Sequence, residues 1–92
     1  FFCVFEIVSK SNFTDKLGCY LVKNSNGYAI MGFVGEKVFK IKSYERLKTE
    51  KLQTRASEKL NDGTIRYIVR IGVHKFILNV KDDNMEYVMD LC

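Results

Sequence analysis

Residues 17–34 have the sequence LGCYLVKNSNGYAIMGFV, in which two apolar segments flank a short polar turn. Leu17, Cys19 and Leu21 alternate with the residues between them, which is the two-residue period of a β-strand. The turn Asn24-Ser25-Asn26-Gly27 contains Asn-Gly, a strong hairpin signal because a type I′ turn needs positive φ at both central residues. This stretch therefore predicts an antiparallel hairpin.

The strand pattern extends on both sides of this hairpin. Residues 1–9 are rich in aromatic and β-branched side chains and lead into a polar stretch, which predicts a strand. On the other side, Gly35-Glu36 suits a type II′ turn into a further strand over residues 37–42. The first half of the chain is thus predicted to be a four-stranded antiparallel meander.

Residues 64–71 and 73–80 also alternate between apolar and polar positions. A single straight strand over both segments would be roughly 55 Å long at the usual rise per residue, too long for this domain. Gly72 therefore predicts a turn between two strands. The side chains expected to face inward are Ile65, Tyr67, Val69, Ile71, Phe76, Leu78 and Val80.

The C-terminal segment predicts a helix over residues 82–92. Asp83 is followed three residues later by Glu86, which resembles a capping box, and acidic residues favour a helix N-terminus. Apolar side chains recur at helical spacing, so we expect this helix to pack on the sheet. These side chains are Met85, Val88, Met89 and Cys92.

Residues 44–60 allow two interpretations. Their Leu, Lys, Glu, Gln and Arg content favours a helix, which Gly63 can terminate, and we predict a helix here. However, Asp62-Gly63 is equally a hairpin turn, so a strand is the alternative. The aliphatic residues that would share one face of that strand are Leu52, Ala56 and Leu60.

Together these elements predict one α+β domain over residues 1–92, with an antiparallel meander and hairpin sheet covered by the two helices. The chain length suits one hydrophobic core. If residues 44–60 form a strand, the order of about seven strands and one C-terminal helix resembles a pleckstrin-homology-like sandwich, in element order alone. Since the chain opens at Phe1, we expect it to be a fragment of a longer protein.

Composition places the chain among ordinary globular proteins, with 47% hydrophobic and 28% charged residues. No apolar run approaches the roughly 18 to 20 residues that cross a bilayer, so no transmembrane segment is predicted. Cys3, Cys19 and Cys92 are too widely spaced for a disulfide framework or a metal knuckle, which indicates reduced thiols and a cytoplasmic or nuclear protein. The acceptor Asn12-Phe13-Thr14 keeps a secreted protein as the alternative.

The sequence lacks the usual parts of an enzyme. It contains one histidine, His74, and none of the common hydrolase, metalloprotease or phosphate-loop motifs. Cys19 with His74 is the one conceivable nucleophile pair, but free cysteines are more often small buried hydrophobes. The acidic cluster Asp82-Asp83-Asn84 with Glu86 lacks the spacing of a calcium loop. We predict no catalytic residue, cofactor or metal.

Basic residues in the middle of the chain predict an anion-binding patch. Lys48, Lys51, Arg55 and Lys59 would lie along one side of a helix, and the last three would also share a strand face. Arg66 and Arg70, four residues apart on a strand, can grip phosphates with bidentate geometry. Such a patch suits nucleic acid or an anionic membrane surface. The alternative is an ordinary solvated surface, diluted by Glu45, Glu50 and Glu58.

A non-enzymatic binding module for protein–protein interaction or assembly is the function that these features favour. The partner is another protein or a second copy, bound through the outer sheet face or the N-terminal strand edge. That edge would present Phe1, Phe2, Val4 and Phe5, which are alternatively part of the core. Binding of nucleic acid or anionic lipid through the basic patch is the second hypothesis.

Overall fold

The computed structural model describes residues 5–11 and 16–91, and within them the chain is built from strands alone. No helix in this part is long and apolar enough to span a membrane. The eight strands of the described residues are β1 (Glu6–Lys10), β2 (Leu17–Asn24), β3 (Gly27–Val34), β4 (Lys37–Tyr44), β5 (Leu52–Lys59), β6 (Ile65–Ile71), β7 (His74–Lys81) and β8 (Asn84–Leu91).

The strands form two antiparallel sheets of four. Sheet 1 has the order β1-β2-β3-β4 and sheet 2 has the order β5-β6-β7-β8, so each is a meander of consecutive strands. Residues 45–51 connect the last strand of sheet 1 to the first strand of sheet 2. The meander predicted for the first half is confirmed, but the predicted α+β class is wrong because the fold is all-β.

The inner faces of both sheets contribute to one hydrophobic core. Sheet 1 supplies alternate residues of β2 and β3, and sheet 2 supplies alternate residues of β6 and β7 together with Leu52 of β5. Tyr67 and Phe76 are the largest fully buried side chains, and the Tyr67 hydroxyl accepts a hydrogen bond of 3.1 Å from the Lys16 backbone N–H. The inward positions predicted for residues 64–80 are all buried, which confirms the alternation in those two strands.

The hairpin predicted for residues 17–34 is confirmed, although its turn differs from the expected type. Ser25 and Asn26 are the two turn residues, and neither has positive φ, whereas Gly27 has φ 138°. The turn is therefore not type I′, and the Asn24 side chain supports it by accepting the Asn26 N–H at 2.8 Å. Gly35, with φ 60°, agrees with the predicted turn between β3 and β4.

The helix predicted over residues 44–60 is wrong. The segment is a loop followed by β5, which pairs with β6 through the turn containing Asp62 and Gly63. Gly63 has φ 91°, and the Thr64 N–H donates to Asp62 Oδ1 at 3.0 Å. Helix propensities differ by only about 0.7 kcal/mol between ordinary residues. The free energy gained from pairing with β6 and from burial of Leu52 outweighs these differences in helix propensity.

The helix predicted over residues 82–92 is also wrong, both in the α+β fold and in the pleckstrin-homology-like alternative. Asp82, with φ 54°, and Asp83 form a tight turn rather than a helix cap, and β8 returns along β7. Met85 packs against the core while Met89 is exposed. Since β7 is fully buried on its inner face, β8 supplies backbone partners that a short helix, itself marginal in water, cannot provide.

Candidate functional site

The four cations that were predicted to lie along a helix are separated in the structure. Lys48 and Lys51 belong to the loop before β5, and Arg55 lies on the outer face of that strand. A β-bulge in the second half of β5 shifts the register, so that Lys59 pairs with the buried Ile65. Paired residues share a sheet face. Lys59 therefore lies on the opposite face from Arg55.

Arg66 and Arg70 share the outer face of β6 but have different surroundings. Arg66 Nε donates to Asn79 Oδ1 at 3.2 Å, and its Nη1 forms an ion pair of 3.5 Å with Glu58. Arg70 Nε donates to the Gly72 carbonyl at 3.4 Å. Among the described residues, no carboxylate lies within ion-pair distance of Arg70. Only Arg70 of this pair is left with an uncompensated charge.

Arg70 and Arg55 line a cleft of about 590 Å³ along edge strand β5, together with Lys10 from β1 and Lys75 from β7. Arg70 pairs directly with Gln53 on one side and Lys75 on the other, so one row of polar side chains crosses three strands. We call this the basic cleft. Its other lining residues are Ser11, Leu52, Thr54 and Ile68.

The basic cleft contains two residues that the sequence patterns did not identify. Lys10 and Lys75 reach it from other strands, and no local spacing relates either of them to Arg55. Of the six predicted cations, the structure brings only Arg55 and Arg70 into this cleft. The pairing of β6 with β7 is what places Lys75 beside Arg70.

Sheet 1 carries an apolar surface on the side away from the core. Val22 pairs with Ile7 and Ala29, and although both Val22 and Ala29 point away from the core they are only 7% exposed. We call this the outer apolar face. Its members, in paired rows, are Ile7, Val22 and Ala29, then Tyr20 and Met31, then Phe33 and Val38.

Aromatic packing and two lysines shape the outer apolar face. The Tyr20 and Phe33 rings lie 4.8 Å apart at their centroids, which joins two of its rows. Lys10 and Lys40 stand at the two ends of the row that contains Tyr20 and Met31. Lys10 Nζ also lies 5.4 Å from the centroid of the Tyr20 ring. The face is thus apolar in its middle and positive at two of its margins.

A cluster of titratable side chains lies where β4 faces β8. Lys42 Nζ is 2.6 Å from Asp90 Oδ1 and donates to Tyr87 Oη at 2.9 Å. The hydrogen bond to Asp90 raises the pKa of Lys42, and the same contact lowers the pKa of Asp90. The His74 ring packs on Tyr44 nearby, with centroids 4.5 Å apart. Because a protonated amine has no free lone pair, Lys42 links the two sheets rather than serving as a nucleophile.

The conceivable nucleophile pair of Cys19 and His74 is not assembled. Cys19 is fully buried in the core, and burial raises the pKa of its thiol to about 11, partly offset by the neighbouring Thr54 hydroxyl. His74 packs instead against Tyr44 at the start of β7. In residues 5–11 and 16–91, no three His, Cys, Asp or Glu side chains converge as metal ligands.

We expect Cys19 to resist alkylation in the native protein. With a pKa of about 11, its thiolate fraction at pH 8 is on the order of 0.001, and the side chain is also inaccessible. Peptide mapping by mass spectrometry after iodoacetamide treatment distinguishes Cys19 from the other cysteines, with the guanidinium-unfolded chain as the control. Rapid labelling of Cys19 in the native state would contradict its burial and reopen the nucleophile hypothesis.

Some predicted features lie outside the described residues. These are the acceptor Asn12-Phe13-Thr14, the two terminal cysteines Cys3 and Cys92, and the edge residues Phe1, Phe2 and Val4. Phe5 is described and is about half exposed.

Comparisons of the chain with family models, with curated proteins and with solved structures find no match. Two surfaces of the described residues have the chemistry of a binding site. The outer apolar face belongs to sheet 1, and the basic cleft lies mainly on sheet 2.

Proposed function

We propose that the chain is a non-enzymatic protein-binding module and that the outer apolar face of sheet 1 contacts its partner. The two-sided apolar character of β2 and β3 supports this most strongly. Antiparallel strands with one solvated face alternate between apolar and polar residues, whereas strands covered on both faces are apolar nearly throughout. β6, with Arg66 and Arg70 outward, is of the first kind, and β2 and β3 are of the second.

The exposed part of this face has the composition of an interface. Ile7 is 51% exposed and Val38 is 54% exposed, and Tyr20, Met31 and Phe33 between them are half-buried. Contiguous apolar patches on a protein surface mark interaction sites, and aromatic residues and Met are enriched at interface centres. A hollow of about 340 Å³ on the same face, lined in part by Met31 and Lys40, offers room for a side chain of the partner.

The charges around the face indicate the chemistry of the partner. Lys10 and Lys40 flank its central row, and none of its paired rows contains a carboxylate. Glu45, just after β4, borders the hollow. A second copy of the face would bring more cations than carboxylates to the contact, which is unfavourable. The partner that fits is a different protein, with an apolar surface bordered by carboxylates.

Site-specific photo-crosslinking in native extract tests this proposal. With a benzophenone amino acid at Val38, we expect one discrete adduct with a different protein. The same probe at Val73, which is 86% exposed in the β6–β7 turn, should give none. Equal adducts from both positions, or none from Val38, would contradict the proposal. A Val38 adduct between two copies of the chain would assign the face to self-association instead.

Two substitutions that each introduce a negative charge measure the contribution of the face once the crosslinked partner is in hand. Met31→Glu should weaken binding by about tenfold or more, since central interface residues commonly contribute over about 1 kcal/mol. Ile77→Glu is the matched control, because Ile77 is a half-buried residue on the outer face of a central strand in sheet 2. It should change affinity by less than about twofold. Equal losses in the two variants would mean that sheet 1 is not the contact surface.

A further inference from the structure

The cations of the basic cleft lack carboxylate partners among the described residues. The ion pairs among the described residues are Lys42 with Asp90, Arg66 with Glu58 and Lys81 with Asp62, and all of them lie outside the cleft. Of the residues in 5–11 and 16–91 that line the cleft, none is acidic. Arg55, Arg70 and Lys75, with Lys10 at the margin, therefore form a positive site that has no carboxylate partner in the described part of the chain.

The strand register forces two of these cations together. Arg70 and Lys75 are directly opposite each other in the β6–β7 ladder, where paired Cβ atoms lie about 5 Å apart. Like charges at such positions destabilise a sheet. Arg55 lies two residues from Gln53, which pairs with Arg70 on the other side. A bound anion would remove the repulsion and accept hydrogen bonds from these side chains at once.

The surroundings limit the length of that anion. The far end of sheet 2 carries three acids at the β7–β8 connection that have no ion-pair partner among the described residues, so a long polyanion lying across the sheet would meet repulsion. These acids are Asp82, Asp83 and Glu86, whereas the nearby Glu58 and Asp62 are paired with Arg66 and Lys81. None of the described residues that line the cleft is aromatic, and single-stranded nucleic acids are held by base stacking on aromatic rings. A compact ligand fits both observations better than a nucleic acid does.

We propose that the basic cleft binds a compact polyanion that carries two or more phosphate or sulfate groups on a small carbon frame. Arg55 and Arg70 supply the planar donors that match phosphate and sulfate oxygens, and Lys10 and Lys75 add charge. Ile68, which pairs with Arg55 on the same outer face, offers an apolar contact for the carbon frame. The volume of about 590 Å³ is ample for such a molecule. This site is independent of the protein-binding face proposed above, apart from Lys10, which borders both.

Calorimetric titration of the full chain tests the site, with inositol hexakisphosphate and sucrose octasulfate as probes. Arg55→Gln/Arg70→Gln should weaken binding about ten- to a hundredfold, because each substitution removes a charge-assisted hydrogen-bond donor. Lys23→Gln/Lys37→Gln removes the same charge from exposed positions outside the cleft and should stay within about twofold. Thermal denaturation checks that each variant is folded. Lys10 is left unchanged, so failure of this test does not bear on the protein-binding face.

The outcomes separate the sources of the anion and the competing explanations. Tight binding to vesicles containing a phosphorylated inositol lipid would identify a head group as the source, whereas binding confined to the soluble probes would identify a free metabolite; both support the site. If neither probe bound at about 0.05 M salt, where screening is weak, the proposed anion site would be overturned. Equal losses in the two double variants, or tighter binding of a single-stranded oligonucleotide than of both probes, would also overturn it.

Discussion

Phe76→Ala is expected to lower the free energy of unfolding by about 3–5 kcal/mol, the usual range for removing a buried phenyl ring. The Phe76 side chain is 0% exposed at the centre of the core, and its ring stacks on that of Tyr87 with centroids 5.3 Å apart. Small domains have only about 5–15 kcal/mol of total stability. The variant should therefore be close to its unfolding transition in water.

Urea denaturation followed by circular dichroism measures this change. Val73→Ala is the control, since Val73 lies in the exposed β6–β7 turn and surface substitutions usually stay within about 0.5 kcal/mol. If Phe76→Ala differed from the wild type by no more than this control, the inward face of β7 would have to be assigned differently.

Gly27→Ala is expected to lower the free energy of unfolding by about 2–4 kcal/mol, through backbone strain and steric overlap together. Gly27 has φ 138°, and a Cβ atom added there would lie 2.5 Å from the backbone carbonyl oxygen of Tyr44. That oxygen belongs to β4, whose pairing with β3 prevents an easy shift. A short side chain therefore cannot be accommodated without distorting the ladder.

Gly63→Ala separates the two contributions. Gly63 also has positive φ, 91°, but among the described residues no atom beyond its own chain neighbours lies within 4 Å of its added Cβ. We expect a loss of about 1–2 kcal/mol from backbone strain alone. The same urea titrations compare the two variants. Equal losses would show that the Tyr44 carbonyl does not approach Gly27, and the register at that end of β3 and β4 would need revision.

Strand alternation predicted the inner layer of β6 and β7 from sequence. Residues 64–71 and 73–80 have apolar side chains at every second position, which places those side chains on one face of each strand. The residues expected to face inward, such as Val69 and Leu78, are buried. In these segments local pattern and tertiary packing favour the same structure.

The two false helices have different physical causes, since the one over residues 44–60 followed from helix-favouring composition and the one over residues 82–92 from apolar spacing. In β8 the register shifts opposite Ile77 and Leu78, so Val88 is inserted between the paired residues Tyr87 and Met89. Met85 faces the core whereas Met89 pairs with Ile77 on the outer face, so the side chains that were spaced like one helix stripe are divided between the two faces of β8. The hydrogen bonds that stabilise β8 come from β7, and no local signal in residues 82–92 reports them.

A β-bulge and the pairing of distant strands limited the prediction of the basic site. A bulge in β5 separates Arg55 from Lys59, which simple alternation had placed on one face. Lys10 and Lys75 reach the basic cleft only through the packing and pairing of distant strands. Sequence spacing identified Arg55 and Arg70 as candidate anion-binding residues. However, the register of the strands decides which cations lie close to one another.

The division of the chain into two consecutive meanders makes the fold separable at one point. Every strand-to-strand ladder joins neighbours within residues 6–44 or within residues 52–91, and residues 45–51 are the covalent tether between these halves. A backbone cut in the tether would break no ladder, yet each half alone would expose its apolar inner face to water. Each half of the chain therefore depends on the other to cover its apolar face. This architecture suits a split reporter, in which two separately made fragments reassemble.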